Sequence, residues 1–195
     1  RLRVRFGRQN LVRGDGFVAM DGGALDGSRT QYVNGLLATV ALGKSKLELF
    51  ALSDPSHDEY LPVFNDKDKA LIEWDEQAIG AYYTEGRLER TTLEAYYVFK
   101  RELDDTRPAS DPGRQPDRSL HTLGARYGRQ LGGGWSATAE AAGQLGSQDP
   151  DTDIRAWGTQ GQLKKCFAVT SKPTLAAGWV GLSGDDAATA AMEVW

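Results

Sequence analysis

The first residues of the chain carry the most regular charge pattern in the sequence. Arg1, Arg3 and Arg5 alternate with Leu2, Val4 and Phe6. In a strand this alternation places three guanidinium groups on one face and three apolar side chains on the other. Guanidinium groups stay charged and make bidentate contacts with carboxylates. Three like charges on one face are poorly explained by pairing, unless acids lie opposite on a strand outside this sequence. The pattern indicates a strand between two very different environments.

Other groups with catalytic or metal-binding chemistry lack the spacing that such chemistry needs. The single cysteine, Cys166, excludes an internal disulfide, and no Cys-His spacing indicates a metal site. Nothing places two of Glu48, Glu94 and Glu140 at the separation of about 5–9.5 Å used in glycoside hydrolysis. We therefore expect no enzyme activity and no cofactor.

Acidic clusters offer only weak sites for calcium. Asp185 and Asp186 are candidate Ca²⁺ ligands, but they lack the spacing of a known calcium loop, as do the acidic stretches 54–59 and 65–68. Solvated loops are the better interpretation of all three. His57 and His121 lie far apart in sequence without a catalytic companion, so we interpret both as incidental.

Composition excludes a helical membrane protein but permits a membrane barrel. The mean hydropathy is -0.48, and the longest apolar run, Leu36 to Leu42, is interrupted by Thr39. A transmembrane helix needs about 20 apolar residues, whereas a barrel strand needs only about 9–11 with one apolar face. The net charge of -4 comes from interspersed acids and bases, so no nucleic-acid partner is expected. The chain opens in a strand pattern without a secretion signal, which predicts a mature or trimmed protein.

Strand-like runs recur in pairs after the first segment. Short turns with glycine at Gly43, Gly86 and Gly132 join the two members of a pair, and longer polar connections, Gln9 to Asn34, Asp54 to Glu76 and Glu102 to Ser119, join one pair to the next. Outer-membrane barrels have short periplasmic turns and long outer loops. We therefore expect the long loops on one rim and the glycine turns on the other. The predicted runs are 35–42, 46–53, 77–84, 91–101, 120–129, 135–145, 154–164 and 174–183, with a tenth strand beginning near Ala191.

Alternation within the strands predicts which side chains face lipid. On 91–100, Leu93, Ala95, Tyr97 and Phe99 are expected to face lipid, with Glu94 and Lys100 inside. The apolar faces are rich in Ala and Gly, which suits a lipid-facing surface better than a packed core. Aromatic residues near strand ends are expected to form interfacial girdles: Tyr127, Trp135, Trp157 and Trp179. The alternative is a soluble all-β binding module with amphipathic strands.

A series of short motifs runs in order through the whole chain. It comprises Phe6-Gly7-Arg8-Gln9-Asn10-Leu11 with Gly14-Asp15-Gly16, Gly27-Ser28-Arg29 through Asn34-Gly35, the strand 77–82, the strand 91–100, His121 through Arg126, Asp153 through Trp157, and Lys172-Pro173 through Asp186. In their order and spacing these motifs resemble the alginate-export family of bacterial outer-membrane proteins. Three features depart from that family: Asn34 in place of an Asp, Leu37 in place of a pore-facing Arg, and Cys166-Phe167 in a turn.

The resemblance implies a large antiparallel transmembrane β-barrel of about eighteen strands, of which nine or ten are present here. Residues 1–195 are then one domain, a partial barrel that is incomplete at both ends. The resemblance also implies a lumen belt of cations that attracts carboxylates, with Glu48, Glu94 and Glu140 as acids that either line the lumen or pair across strands. The candidate cations are Arg1, Arg3, Arg5, Lys100 and Arg126.

The function implied is passive export or diffusion of an acidic, alginate-like polysaccharide or of smaller anions through the bacterial outer membrane. The expected partners are the lipid bilayer, the anionic solute and, in an alternative hypothesis, a periplasmic or luminal partner protein. In that alternative the barrel is a sheath that holds the partner in its lumen.

Overall fold

The computed structural model describes residues 1–18, 33–55, 75–103, 116–184, 188–189, 191–193 and 195. Its strands form one nine-stranded sheet in which each strand pairs with its sequence neighbours, and every pair is antiparallel. The strands are β1 (Leu2–Gln9), β2 (Val33–Leu42), β3 (Ser45–Asp54), β4 (Asp75–Glu85), β5 (Thr91–Leu103), β6 (Arg118–Gly132), β7 (Trp135–Gln148), β8 (Thr152–Cys166) and β9 (Thr174–Leu182). The described residues include no helix with the length and hydrophobicity to cross a bilayer.

The connections divide between the two rims as predicted. β2 joins β3 through Gly43 and Lys44, β4 joins β5 through 86–90, and β6 joins β7 through Gly133 and Gly134. Gly43 and Gly133 have φ angles of 67° and 56°, the left-handed region that two-residue turns require. Because the strands alternate in direction, these turns share one rim, the turn rim. The ends of the three long connections lie on the other, the loop rim.

Two details of the sheet differ from the sequence prediction. Only residues 149–151 join β7 to β8 at the loop rim, where longer connections were expected. Near Ala191, where a tenth strand was expected to begin, the described residues show only an isolated parallel bridge between Met192 and Ile154. That bridge lies beside β8 beyond the point where β9 ends at Leu182, so it uses backbone groups that β9 leaves unpaired.

Cross-strand register gives the sheet two chemically distinct faces, because directly paired residues point to the same side. One face, the charged face, carries Arg3, Arg5, Glu48, Glu94, Lys100, Arg126 and Glu140. The other, the apolar face, carries Leu93, Ala95, Tyr97 and Phe99, so the predicted division of β5 between its two faces is confirmed.

The apolar face exposes large side chains across the whole sheet. Leu123 is 68% exposed, Leu145 63% and Trp157 53%, and Phe6 and Ile79 on distant strands are also exposed. A soluble protein rarely exposes apolar surface over so wide an area. This face is therefore suited to lipid contact, against the alternative of a soluble binding module.

Charged residues on the apolar face lie at the two ends of the strands. On β8, Arg155 lies near the loop rim and Lys165 near the turn rim, and the side chains between them on that face are Trp157, Thr159, Gly161 and Leu163. Ten residues of strand span about 33 Å. At the tilt of about 35–45° typical of membrane barrels, that length gives an uncharged band about 25 Å tall, as outer-membrane barrels have.

A small hydrophobic cluster lies on the charged face. Leu37, Phe50, Tyr82, Tyr96 and Ala142 are its buried members, and Phe17, Val18 and Trp195 pack against them. The chain that follows β1 therefore folds over the charged face as far as Val18. We refer to residues Leu11–Val18 as the covering segment. Leu37, which stands where the resemblance suggested an arginine, contributes to the surface on which this segment packs.

Candidate functional site

Arg1, which directly precedes β1, forms a row of cations on the charged face with Arg3 and Arg5 of β1. Arg3 pairs in register with Thr39 and Arg5 with Leu37, while the backbone carbonyl of Arg1 accepts a hydrogen bond from the N–H of Ala41 at 2.9 Å. The cross-strand neighbours of the row are thus uncharged. All three arginine side chains are exposed, and none forms an ion pair with another described residue. The three guanidinium groups follow one another at intervals of about 6–7 Å along the strand.

Arg126 of β6 lies in the middle of a group of acids and is not free. Its guanidinium contacts Asp15 at 2.9 Å, Glu94 at 3.1 Å and Glu140 at 4.0 Å. Glu140 also accepts hydrogen bonds from the Tyr96 hydroxyl at 2.8 Å and from the Gln160 amide at 3.1 Å. Arg126 therefore neutralises neighbouring carboxylates, of which Glu140 is buried. This agrees with the alternative in which lumen charges pair across strands.

Lys100 of β5 is neutralised in the same way. Its ammonium group lies 3.6 Å from Glu76 and forms a second ion pair with Glu102. Arg118 of β6 approaches the other oxygen of Glu102 at 3.6 Å. The structure thus separates Lys100 and Arg126, whose charge is locally compensated, from the three arginines of β1.

The covering segment is held on the charged face by two ion pairs. Arg13 contacts Glu48 at 3.0 Å, and Lys46 also lies 3.1 Å from Glu48. Asp15 contacts Arg126. Gly14 lies between them with a φ of 59°, and a Cβ there would come within 3.1 Å of the Arg126 side chain and 3.3 Å of Glu140. Glycine is therefore required for this close approach.

Aromatic contacts complete the attachment of the covering segment. The Phe17 ring stacks on Trp195 with 5.2 Å between centroids, and both rings lie over Gly158 of β8. The segment thus reaches from Glu48 on β3 to Gly158 on β8. Sequence reasoning missed it, since residues 11–18 have no strand or helix period, and the only available signal was the oppositely charged pair that flanks Gly14.

Each predicted acid of the charged face is paired, and Glu48 and Glu140 are also buried. Glu48 binds Arg13 and Lys46, and Glu94 and Glu140 share Arg126. Sequence reasoning did not single out Lys164, which also lies on the charged face near the turn rim, in register with Ser136. The excess positive charge on the described part of this face therefore comes chiefly from β1, with Lys164 as an addition at the turn rim.

The remaining candidates do not form a second site. Asp185, Asp186 and His57 lie outside the described residues, and within the described ranges no group of three or more His, Cys, Asp or Glu side chains is placed to hold a metal ion. His121 lies on the apolar face, where its Nδ1 is 2.7 Å from the Tyr97 hydroxyl.

Comparisons with known proteins agree with this geometry. The sequence model of the family described as alginate export matches residues 1–192. A similar solved structure is a loop L8 deletion mutant of OmpT, an outer-membrane protein of Vibrio cholerae, with a TM-score of 0.51 and 10% identity over 92% of this chain and 70% of that one. At this identity the likeness shows the fold alone. A search of curated protein sequences found no match.

Proposed function

Since the chain belongs to the alginate export family and forms part of a β-barrel of the bacterial outer membrane, we propose that its charged face lines a channel for an acidic polysaccharide or smaller anions. Movement is by diffusion down a gradient, without enzyme chemistry and without a cofactor. The apolar face contacts the lipid bilayer. The free row Arg1, Arg3 and Arg5 is the observation that carries this proposal.

The row is suited to moving a polyanion because its charges are fixed, equally spaced and uncompensated. Carboxylates on successive sugars can pass from one guanidinium to the next without tight binding at any one. A cleft lined by one sign of charge also raises the local concentration of the opposite ion. Lys100 and Arg126 have no such role, because their neighbouring carboxylates already neutralise them.

We also propose that further strands complete the barrel wall. In the sheet order β1 and β9 each have one described neighbour, and an unpaired strand edge in hydrocarbon costs several kcal/mol for each exposed backbone group. We therefore take residues 1–195 as a single domain that contributes about half of a barrel of about eighteen strands.

The covering segment gives the channel an uneven cross-section. It occupies the charged face between β3 and β8, where the acids are paired, and it leaves the arginines of β1 exposed. A solute then passes along the β1 side of this wall. The segment occupies part of the space that a luminal protein would need, so the geometry supports the channel over a sheath for a partner.

Charge removal on β1 tests the proposal. In the complete barrel, Arg3→Ser together with Arg5→Ser should shift the reversal potential across a bilayer salt gradient from anion toward cation selectivity. Lumen substitutions tune selectivity more than they affect stability, so the fold should remain intact. The effect should weaken in 1 M salt, where the Debye length is about 3 Å.

The matched control removes the same charge from the apolar face, with Arg129→Ser and Lys165→Ser near the turn rim. These changes should leave selectivity unaltered. In a second measurement, block of the current by a polyuronate oligomer should require Arg3 and Arg5, whereas a neutral oligosaccharide of equal length should not discriminate parent from variant. Equal reversal potentials for parent and the β1 variant at low salt would contradict the proposal.

A further inference from the structure

A groove opens on the apolar face near the loop rim. It has a volume of about 910 Å³, within the range of about 300–1,000 Å³ typical of small-molecule sites. We refer to it as the rim groove. Its lining includes Tyr97, His121, Leu123, Gly143, Leu145 and Trp157, and its charged lining residues are Arg155 and Glu193. The side chains of Tyr97, Leu123 and Trp157 lie on the apolar face, on the side of the sheet opposite to the proposed channel.

A glycine forms the floor of the rim groove. Gly143 lies in one cross-strand row between Leu123 and Trp157, whose large side chains are both exposed. A Cβ at Gly143 would meet only the carbonyl oxygen of Ala156, at 3.9 Å. The next row toward the turn rim contains Ala125 and Ala141, so small side chains extend the groove along the strands from Gly143. An extended groove of this kind fits a flexible hydrocarbon chain.

The location of the groove determines what fills it. This face contacts the hydrocarbon of the outer membrane, so lipid acyl chains lie next to the groove. An empty groove would lose dispersion contacts along its whole lining. A lipid chain that lies against Gly143 recovers these contacts, and it makes further dispersion contacts with Trp157 and Leu123 on its two sides.

The loop-rim end of the groove has groups that bind phosphate. His121, Leu145 and Arg155 form one cross-strand row, immediately toward the loop rim from Gly143. The guanidinium of Arg155 contacts Asp153 at 3.3 Å, but both side chains are about two thirds exposed. Such a surface pair contributes little, and a guanidinium has five N–H donors, most of which remain available. Arg101, one row farther toward the rim, adds a second exposed cation on this face.

From this arrangement we propose that the rim groove binds a phosphorylated lipid of the leaflet at the loop rim. Its phosphate lies against Arg155 and His121, and one acyl chain runs past Gly143 toward Ala141. The row of Arg155 marks the end of the uncharged band, which is the depth at which lipid phosphates meet a membrane protein. The aromatic rings of Tyr97 and Trp157 lie one row deeper, as interfacial aromatic residues do.

Lipid binding to the complete barrel in detergent tests this proposal, with native mass spectrometry as the measurement. The probes are diphosphorylated hexa-acyl lipid A, the same lipid after enzymatic removal of its phosphates, and phosphatidylcholine. Arg155→Gln removes the cation and Gly143→Leu fills the groove. Lys165→Gln, at the opposite end of the same strand, is the control for charge. Ala38→Leu is the control for size, since Ala38 lies on β2 in the same cross-strand row as Gly143.

We expect Arg155→Gln to weaken binding of the diphosphorylated lipid about tenfold, the effect of losing a charge-assisted contact, and to leave the dephosphorylated lipid unaffected. Gly143→Leu should weaken binding of both, while the two controls bind like the parent. Heat-modifiable gel mobility verifies that each variant is folded. Equal affinity of folded Gly143→Leu and parent would overturn the groove as the site, and equal affinity for phosphorylated and dephosphorylated lipid would overturn the phosphate contact.

Discussion

Ion pairing decides which charged residues of the lumen wall can act on a solute. Arg126 and Arg3 are the same residue type on the same face of one sheet, yet Arg126 has three carboxylates within 4.0 Å and Arg3 has only uncharged cross-strand neighbours. A buried charge without a partner is costly, so the acids near Arg126 hold it in place. Arg3 is exposed and needs no partner.

Arg126 stabilises the folded barrel by neutralising the carboxylates around it. Arg126→Met should lower the free energy of unfolding by about 3–5 kcal/mol, because the buried Glu140 and the partly buried Glu94 would both lose their cation. Asp15→Asn should cost less than about 1 kcal/mol, since the Asp15 side chain is 51% exposed and an exposed pair contributes little. Urea unfolding of the complete barrel in liposomes measures both.

A second-site change distinguishes this explanation from simple loss of packing. Adding Glu140→Gln to Arg126→Met should recover part of the lost stability, because one unpaired carboxylate is then removed. If the double variant were no more stable than Arg126→Met alone, lost contacts of the arginine side chain rather than an uncompensated charge would explain the effect.

The sequence predicted the faces of these residues but not their partners. Alternation along β5 places Glu94 and Lys100 on one side, and this needs only neighbouring residues. The contact between Asp15 and Arg126 joins positions 111 residues apart. No local period relates them. The folded sheet is therefore needed to show that Arg126 is compensated, whereas Arg1, Arg3 and Arg5 form no ion pair with another described residue.

At the scale of single strands, small residues on the charged face make room for the aromatic rings of neighbouring strands. Gly124 of β6 lies in register with Tyr96 of β5, and a Cβ at Gly124 would overlap the Tyr96 ring. The Tyr96 ring in turn stacks on Tyr82 at 5.5 Å, and its hydroxyl donates to Glu140. The position of Tyr96 thus depends on the absence of a side chain at Gly124.

Two equivalent substitutions on adjacent strands test this dependence. Gly124→Ala should destabilise the barrel by about 1–3 kcal/mol, the usual cost of overpacking. Gly143→Ala on β7 meets open space, so it should be neutral or stabilise by up to about 1 kcal/mol through reduced entropy of the unfolded chain. Thermal and urea unfolding of the two variants measure the difference, and an equal loss at both positions would contradict the steric explanation.

The segments in which polar and apolar residues alternate were predictable from the sequence, and the segments without this alternation were not. Alternation and glycine turns indicated β1 to β9 and their division between two rims. The covering segment was missed because its contacts depend on strands from β3 to β8 rather than on its own sequence. Near Ala191, where a tenth strand was expected to begin, the described residues show a single bridge from Met192 to Ile154 of β8.

For the whole molecule, the arrangement of rims predicts an orientation in the membrane. Cys166 is exposed at the end of β8 on the turn rim. Short turns face the periplasm in outer-membrane barrels. A maleimide attached to a bulky polymer should therefore not label Cys166 on intact cells, and should label it after the outer membrane is opened.

A cysteine on the opposite rim provides the control. In Cys166→Ser with Asp151→Cys, the new thiol lies in the 149–151 connection at the loop rim. The same reagent should label it on intact cells. Labelling of Cys166 in parent cells with a sealed outer membrane would reverse the orientation, and with it the leaflet assigned to the rim groove.

The interval from Arg155 to Lys165 also limits how thick a bilayer the barrel accepts. A hydrogen-bonded sheet has little freedom to change its tilt, so a thicker bilayer must thin around the protein at a cost of fractions of a kcal/mol per Å of hydrophobic mismatch. Barrels in such a bilayer reduce this cost when they cluster and share the deformed lipid. The protein is thereby biased toward thin membranes, and the bacterial outer membrane is thinner than average. The positions of Arg155 and Lys165 on one face of β8 thus favour insertion of the barrel into the thinner of the membranes it can enter.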